Sequence, residues 1–247
     1  MTALFILVVT FCTSFISGIL GMAGGMILMG VLAWILPVSQ AMMLHAVAQF
    51  FSNASRAWFH RQHIYKPSIA YYVAGLALTV GVFTGIAYMP GKATVFLLLG
   101  SLPFIGYVLS KQVALDFTKP RQAFLCGMGV TFFHLTAGVS GPLLDIFFQN
   151  ASLPRHQTVA TKALTQSIAH VVKFVYFGVV AFMATGQEDS VLSLWIFFAV
   201  VPVAVSGTHV SRYVLDKMSD NQFYRATQIV LFMLGIVYLC KGLFAHL

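Results

Sequence analysis

Charge is what this 247-residue sequence has least of: 14 Lys and Arg with 6 Asp and Glu make 8% of the chain, beside 59% apolar residues. An ordinary soluble domain carries about 25% charged residues, and twenty such side chains cannot cover a water-exposed surface of this size. A soluble fold is excluded, and the chain reads as an all-α polytopic integral membrane protein. At about 20 residues per crossing, the length holds roughly eight to ten helical segments and leaves no room for a soluble domain. Cysteine is equally sparse. Cys12, Cys126 and Cys240 stand far apart in apolar runs, without CxxC or CxxCH, which argues against a disulfide framework, a zinc ribbon or c-type haem attachment. HExxH and paired intramembrane carboxylates are also missing, so no metal, cofactor or enzymatic activity is expected. No Lys or Arg precedes Arg56; the apolar stretch Met1 to Leu20 therefore lacks the basic region of a cleaved signal and reads as a retained first helix. The formal charge of +8 is explained by basic cytoplasmic loops and not by a nucleic-acid partner.

What is present is periodic. Apolar runs between turn signals predict helices near 2–20, 26–36, 41–60, 68–89, 93–110, 121–138, 143–151, 156–183, 191–214 and 222–245. At 1.5 Å per residue, 26–36 and 143–151 reach about half of a ~30 Å hydrocarbon core, the length of half-helices. Each follows a glycine break, GMAGG (Gly21, Gly24, Gly25) or GVSGP (Gly138, Gly141, Pro142), and each precedes a proline, Pro37 or Pro154. Shifted by 117 residues, the chain overlays itself: Gly21 on Gly138, Gly24 on Gly141, Pro37 on Pro154, Gln40 on Gln157, Ala46 on Ala163, Gln49 on Gln166, Arg56 on Lys173 and Phe59 on Tyr176. This run of ungapped matches points to a duplication, with a first transmembrane repeat at 1–115 and a second at 116–247 in one transporter unit.

Loop charge orients the repeats. The connections 61–67, 111–121 and 212–225 are basic and belong inside; 184–190, with Glu188 and Asp189 and no base, and 90–92, with Lys92 alone, belong outside. An odd number of crossings between 121 and 184 makes the halves inverted-topology repeats, whose re-entrant half-helices meet near the midplane. Four full crossings per half would make them parallel instead.

The chemistry sits on two polar stripes. His45, Gln49, Ser52, Asn53 and Arg56 share one face of a helix, as do Lys162, Gln166, His170 and Lys173, bordered by Thr161 and Thr165. A charge at mid-depth costs at least ~2.5 kcal/mol, so it is expected to line a cavity or to be paired. Snorkelling of Arg56 and Lys173, or hydrogen bonds from Gln49 and Asn53 across helices, account for single residues; duplication of the whole stripe argues for a central site. His45, Gln49, Asn53, Arg56, Lys162, Gln166, His170 and Lys173 are therefore the candidate substrate ligands. Apart from Asp145, the intramembrane ionisable groups are basic or His, so the expected partner is a small anion such as a sulfonate or carboxylate. Half-helix N-termini after Gly25 and Pro142 would add N–H donors, with the glycines as gates. Asp145 aligns with Leu28 and breaks the symmetry. It either pairs with Lys162 or Lys173 or takes up a proton; His134 is either a core residue or a proton carrier. Both are the candidates for proton coupling. An anion channel lined by the same stripes, and a histidine-dependent redox or haem bundle, are the competing functions.

The segments ISGILGMAGGMIL, Pro37 and WFHRQHI, and later TAGVSGPLLDIFF, Pro154 and HQTVATKALTQSIAHVVKFVYFG, resemble the TauE/SafE family of sulfite and organosulfur anion exporters. The resemblance implies a secondary transporter of the bacterial inner membrane, moving sulfite, thiosulfate, sulfonates or related anions. Three positions depart from the family pattern: the first break is GMAGG without a full glycine triplet, Pro142 stands where another glycine is common, and His45 stands where a small residue is usual.

Overall fold

The computed structural model describes residues 1–20, 22–185, 193–211, 213 and 220–244. Among these, all regular structure is helical: α1 (Thr2–Leu20), α2 (Ala23–Ile35), α3 (Val38–Phe59), a 3-10 turn (Arg61–His63), α4 (Ile69–Gly85), α5 (Lys92–Gln112), α6 (Pro120–Thr136), α7 (Gly141–Gln149), α8 (Arg155–Thr185), α9 (Leu194–Val210) and α10 (Asp220–Leu243). Prolines set several starts, because their fixed φ and missing N–H suit a first turn: Pro37 precedes α3, Pro120 opens α6, Pro142 lies in the first turn of α7 and Pro154 precedes α8.

Four helices, within α1, α5, α8 and α10, are long and apolar enough to cross a membrane. The 22-residue α3 is long enough but carries the polar stripe, which it hides against α2, α8 and α9. Helix α2 starts at Ala23 and not at 26. Met22 already has the helical φ/ψ of −72°/−17°, so Gly24 and Gly25 form the first turn of α2 instead of a break before it. Likewise α7 starts at Gly141, which brings Pro142 inside. Gly21, Glu188, Asp189, Arg212 and Lys217 lie outside the described residues.

Packing follows a reciprocal pattern. Helix α1 packs on α9 and α6 on α4; α5 packs on α7 and α10 on α2; α3 pairs with α8 and α5 with α10. Direction can be read from the contacts. His45 meets Lys173 and His60 lies beside His156, so α3 and α8 are antiparallel. Phe96 meets Tyr238 and Phe104 meets Phe232, so α5 and α10 are antiparallel too. Helices α4 and α6 run parallel and almost touch: a Cβ on Gly75 would overlap the Phe124 carbonyl, and one on Gly127 that of Tyr72. Backbones come this close only where both surfaces are small, the usual way helices associate without a hydrophobic driving force.

Candidate functional site

The two helix breaks meet. A Cβ on Gly138 would press on Met29 and Met42, and one on Gly141 on Met22, the residue that caps α2. Gly138 is held at φ +82°, where a side chain would be strained, and this turns its carbonyl into the bundle. In α2 the first intrahelical bond joins Met26 N to Met22 O at 3.2 Å, so the N–H groups of Ala23, Gly24 and Gly25 precede it and have no acceptor within the helix. Neither Met22 nor Ser140 caps its helix with a side chain. Two positive helix ends therefore point into the middle of the molecule.

Lys173 lies beside them, wholly buried at 0% exposure. Its ammonium donates to Gly138 O at 2.8 Å and reaches His45 Nδ1 at 2.8 Å, while His45 Nε2 lies 2.9 Å from Gly25 O. These contacts define a tautomer: His45 carries its proton on Nε2 to donate to Gly25 and accepts from Lys173 at Nδ1. One side chain from each stripe thus ties the two breaks together. His170 packs between His45 and His134, with ring centroids 5.6 and 4.7 Å away. His134 Nδ1 faces Val130 O at 3.1 Å and Ser140 Oγ at 3.2 Å, so its proton sits on Nδ1. Three side-chain nitrogens here are buried with no hydrogen-bond partner: Gln49 Nε2, His134 Nε2 and His170 Nδ1. Gln49 lies against Gly25, where a Cβ would stand 3.5 Å from its Oε1. Unpaired buried polar atoms cost about 1–3 kcal/mol each, so three of them on neighbouring residues call for an explanation.

The other end of the α3/α8 seam differs. The register that pairs His45 with Lys173 brings Arg56 level with Lys162, about 16 Å away along α3. Lys162 forms an ion pair with Asp145, and the two side chains are 31% and 24% exposed. Of the two partners open to Asp145, Lys162 is the one it takes. Asn53, Arg56 and Gln166 are half-buried, and Asn53 Nδ2 donates to Gln49 O in its own helix. The eight candidates therefore separate into a sealed group (His45, Gln49, His170, Lys173) and a half-open group (Asn53, Arg56, Lys162, Gln166). Snorkelling of Lys173 is excluded by its burial.

Some partners carried no sequence signal. The carbonyls of Gly25 and Gly138 act through backbone geometry. Ser140, by contrast, was accessible as a polar residue before a helix start. Tyr72 and Tyr176 fasten α4 to α8 by donating to Thr165 O at 3.0 Å and to Phe83 O at 3.2 Å; in the sequence they look like ordinary aromatic positions.

A helical bundle of apolar spans around a buried basic cluster and two helix breaks has the construction of a multi-pass membrane transporter. The chain belongs to the sulfite exporter TauE/SafE family, whose profile matches residues 6–238, nearly the whole chain. No curated protein and no solved structure matches it.

Proposed function

We propose that this protein is a secondary transporter of the bacterial inner membrane that carries a small oxyanion, sulfite, a sulfonate or another sulfur-containing anion, by alternating access. The observation that carries this reading is Lys173, a buried amine beside two helix N-termini, with unpaired buried nitrogens on the neighbouring Gln49, His134 and His170. The lysine, the Gln49 amide and the free N–H groups of the helix ends replace the water that an oxyanion sheds. The seal around this cluster favours a gated carrier over an open channel.

The antiparallel pairing of α3 with α8 and of α5 with α10 supports inverted repeats at 1–115 and 116–247. Equivalent helices related by an axis along the membrane normal would run parallel; an axis in the membrane plane reverses them. The half-helices α2 and α7 are then re-entrant. Protons enter through His134. With its proton committed at Nδ1, Nε2 offers only a lone pair, which repels an anion until it is protonated. Anion and proton therefore bind together. Asp145, engaged by Lys162, is assigned to a structural pair.

The test is flux of sulfite, thiosulfate, sulfoacetate and taurine in proteoliposomes, for wild type and for Gln49→Ala, Gln166→Ala, Lys162→Ala and Lys173→Gln. Saturable exchange lost in the Gln49 and Lys173 variants supports the site. Unchanged flux in all four removes it.

A further inference from the structure

A second feature on α3 and α8 has no part in this site. A cleft of about 290 Å³ runs between the helices, walled by Phe50, Ala54 and Trp58 on one side and Leu164, Ile168 and Val171 on the other. It contains none of the stripe residues. Its wall is apolar in effect, because the hydroxyl of Ser167, which also lines it, donates to Ala163 O at 2.7 Å within its own helix. From Phe50 in α3 to Arg61 in the 3-10 turn the cleft runs for about 16 Å, half of a ~30 Å hydrocarbon core. That is the depth of one leaflet.

Arg61 stands at the outer end. Its Nη1 donates to Trp58 O at 3.2 Å, and its guanidinium lies 4.8 Å from the Trp58 ring centre. The remaining N–H donors of the fork suit a phosphate. His63, with its ring 5.4 Å from that of His156, follows Arg61 in the same turn, and Lys66 and Arg155 are exposed on the adjoining segments. Neither 56–68 nor 153–167 contains Asp or Glu. A headgroup bearing its own cation would meet only positive charge, and the aromatic face that could have received that cation is covered by Arg61.

We infer that this cleft binds an anionic phospholipid of the leaflet facing Arg61, with one acyl chain along the α3/α8 seam and the phosphate on the Arg61 guanidinium. The site is independent of the transport reading. It can be tested by native mass spectrometry of the full-length protein in detergent, supplied with phosphatidylglycerol or phosphatidylcholine of identical chains. Phosphatidylglycerol should be retained at least tenfold more than phosphatidylcholine. Arg61→Gln, at an exposed position that keeps the fold, should erase that preference. Ala54→Phe, which fills the cleft and leaves the charge alone, should lower phosphatidylglycerol retention about as far. Equal retention of the two lipids, or a preference that survives Arg61→Gln, overturns the inference and leaves ordinary annular lipid. Displacement of phosphatidylglycerol by equimolar glycerol 3-phosphate overturns it as well, since the site would then recognise a free phosphate.

Discussion

Lys173 is held without a carboxylate, by one carbonyl and one imidazole. Truncating it strands both acceptors, at about 1–3 kcal/mol each. Lys173→Met should therefore lower the Tm of the detergent-purified protein and abolish anion flux. Lys173→Gln, which can still donate to Gly138 O, should recover much of the Tm while flux stays lost; a flux that follows the Tm would make the residue purely structural. His134 allows a second separation. If its Nε2 binds the anion only when protonated, flux should rise as pH falls. His134→Gln, whose amide donates at any pH, should flatten that profile. These residues were visible in sequence as stripes with helical spacing, because a Lys or Gln inside an apolar run is conspicuous. Their grouping was not. Which of eight polar side chains are sealed depends on the register of two helices more than a hundred residues apart, and a helical wheel contains no such register.

At the level of helices, small residues decide what can touch. Gly75→Ala should force α4 and α6 apart and cost about 1–3 kcal/mol as overpacking. Gly81→Ala on the same helix meets nothing within 4 Å and should be neutral or stabilising by about 0.5–1 kcal/mol. Thermal unfolding in one detergent compares them directly, and equal shifts would refute the close packing. The Asp145–Lys162 pair is partly exposed, so a double-mutant cycle with Asn and Met should give a coupling below about 1 kcal/mol. Helix positions were legible because lipid demands long apolar runs and proline marks their starts. The early start of α2 was hidden: glycines in GMAGG read as a break, yet Gly24 lies so close to the α1 backbone at Thr13 and Ser17 that the helix can begin there only with glycine.

For the whole molecule, the inverted reading makes a topological prediction. Lys111 lies in the last turn of α5 and Lys241 in the last turn of α10, helices that the inverted reading makes equivalent. In a background free of native cysteines, Lys111→Cys should react with an impermeant maleimide from the cytoplasm and Lys241→Cys from outside. Labelling of both from one side would make the repeats parallel. The structure already sets the ends of α5 apart: Lys92 donates to Trp34 O at 3.3 Å and Lys241 lies over the Trp34 ring, which gathers the two lysines that the loop charges place outside. The proposed duplication rests on the 117 residues that separate matching glycines, prolines and glutamines in the sequence. The crossing of the halves, α1 on α9 and α6 on α4, was not, since periodicity within a helix carries no information about which distant helix it meets.

The unequal ends of the α3/α8 seam have a thermodynamic consequence. In two identical inverted copies, the inward-open and outward-open forms would be mirror exchanges of equal energy, and the resting protein would divide its time evenly between them. Any preference must come from positions where the copies differ. Chief among them are Asp145 opposite Leu28, Lys162 opposite His45, and Arg56 opposite Lys173. On the inverted, alternating-access reading, these three mismatches would set that bias. On that reading Leu28→Asp, which gives the first half the carboxylate it lacks, should move the resting balance between the two faces of the membrane.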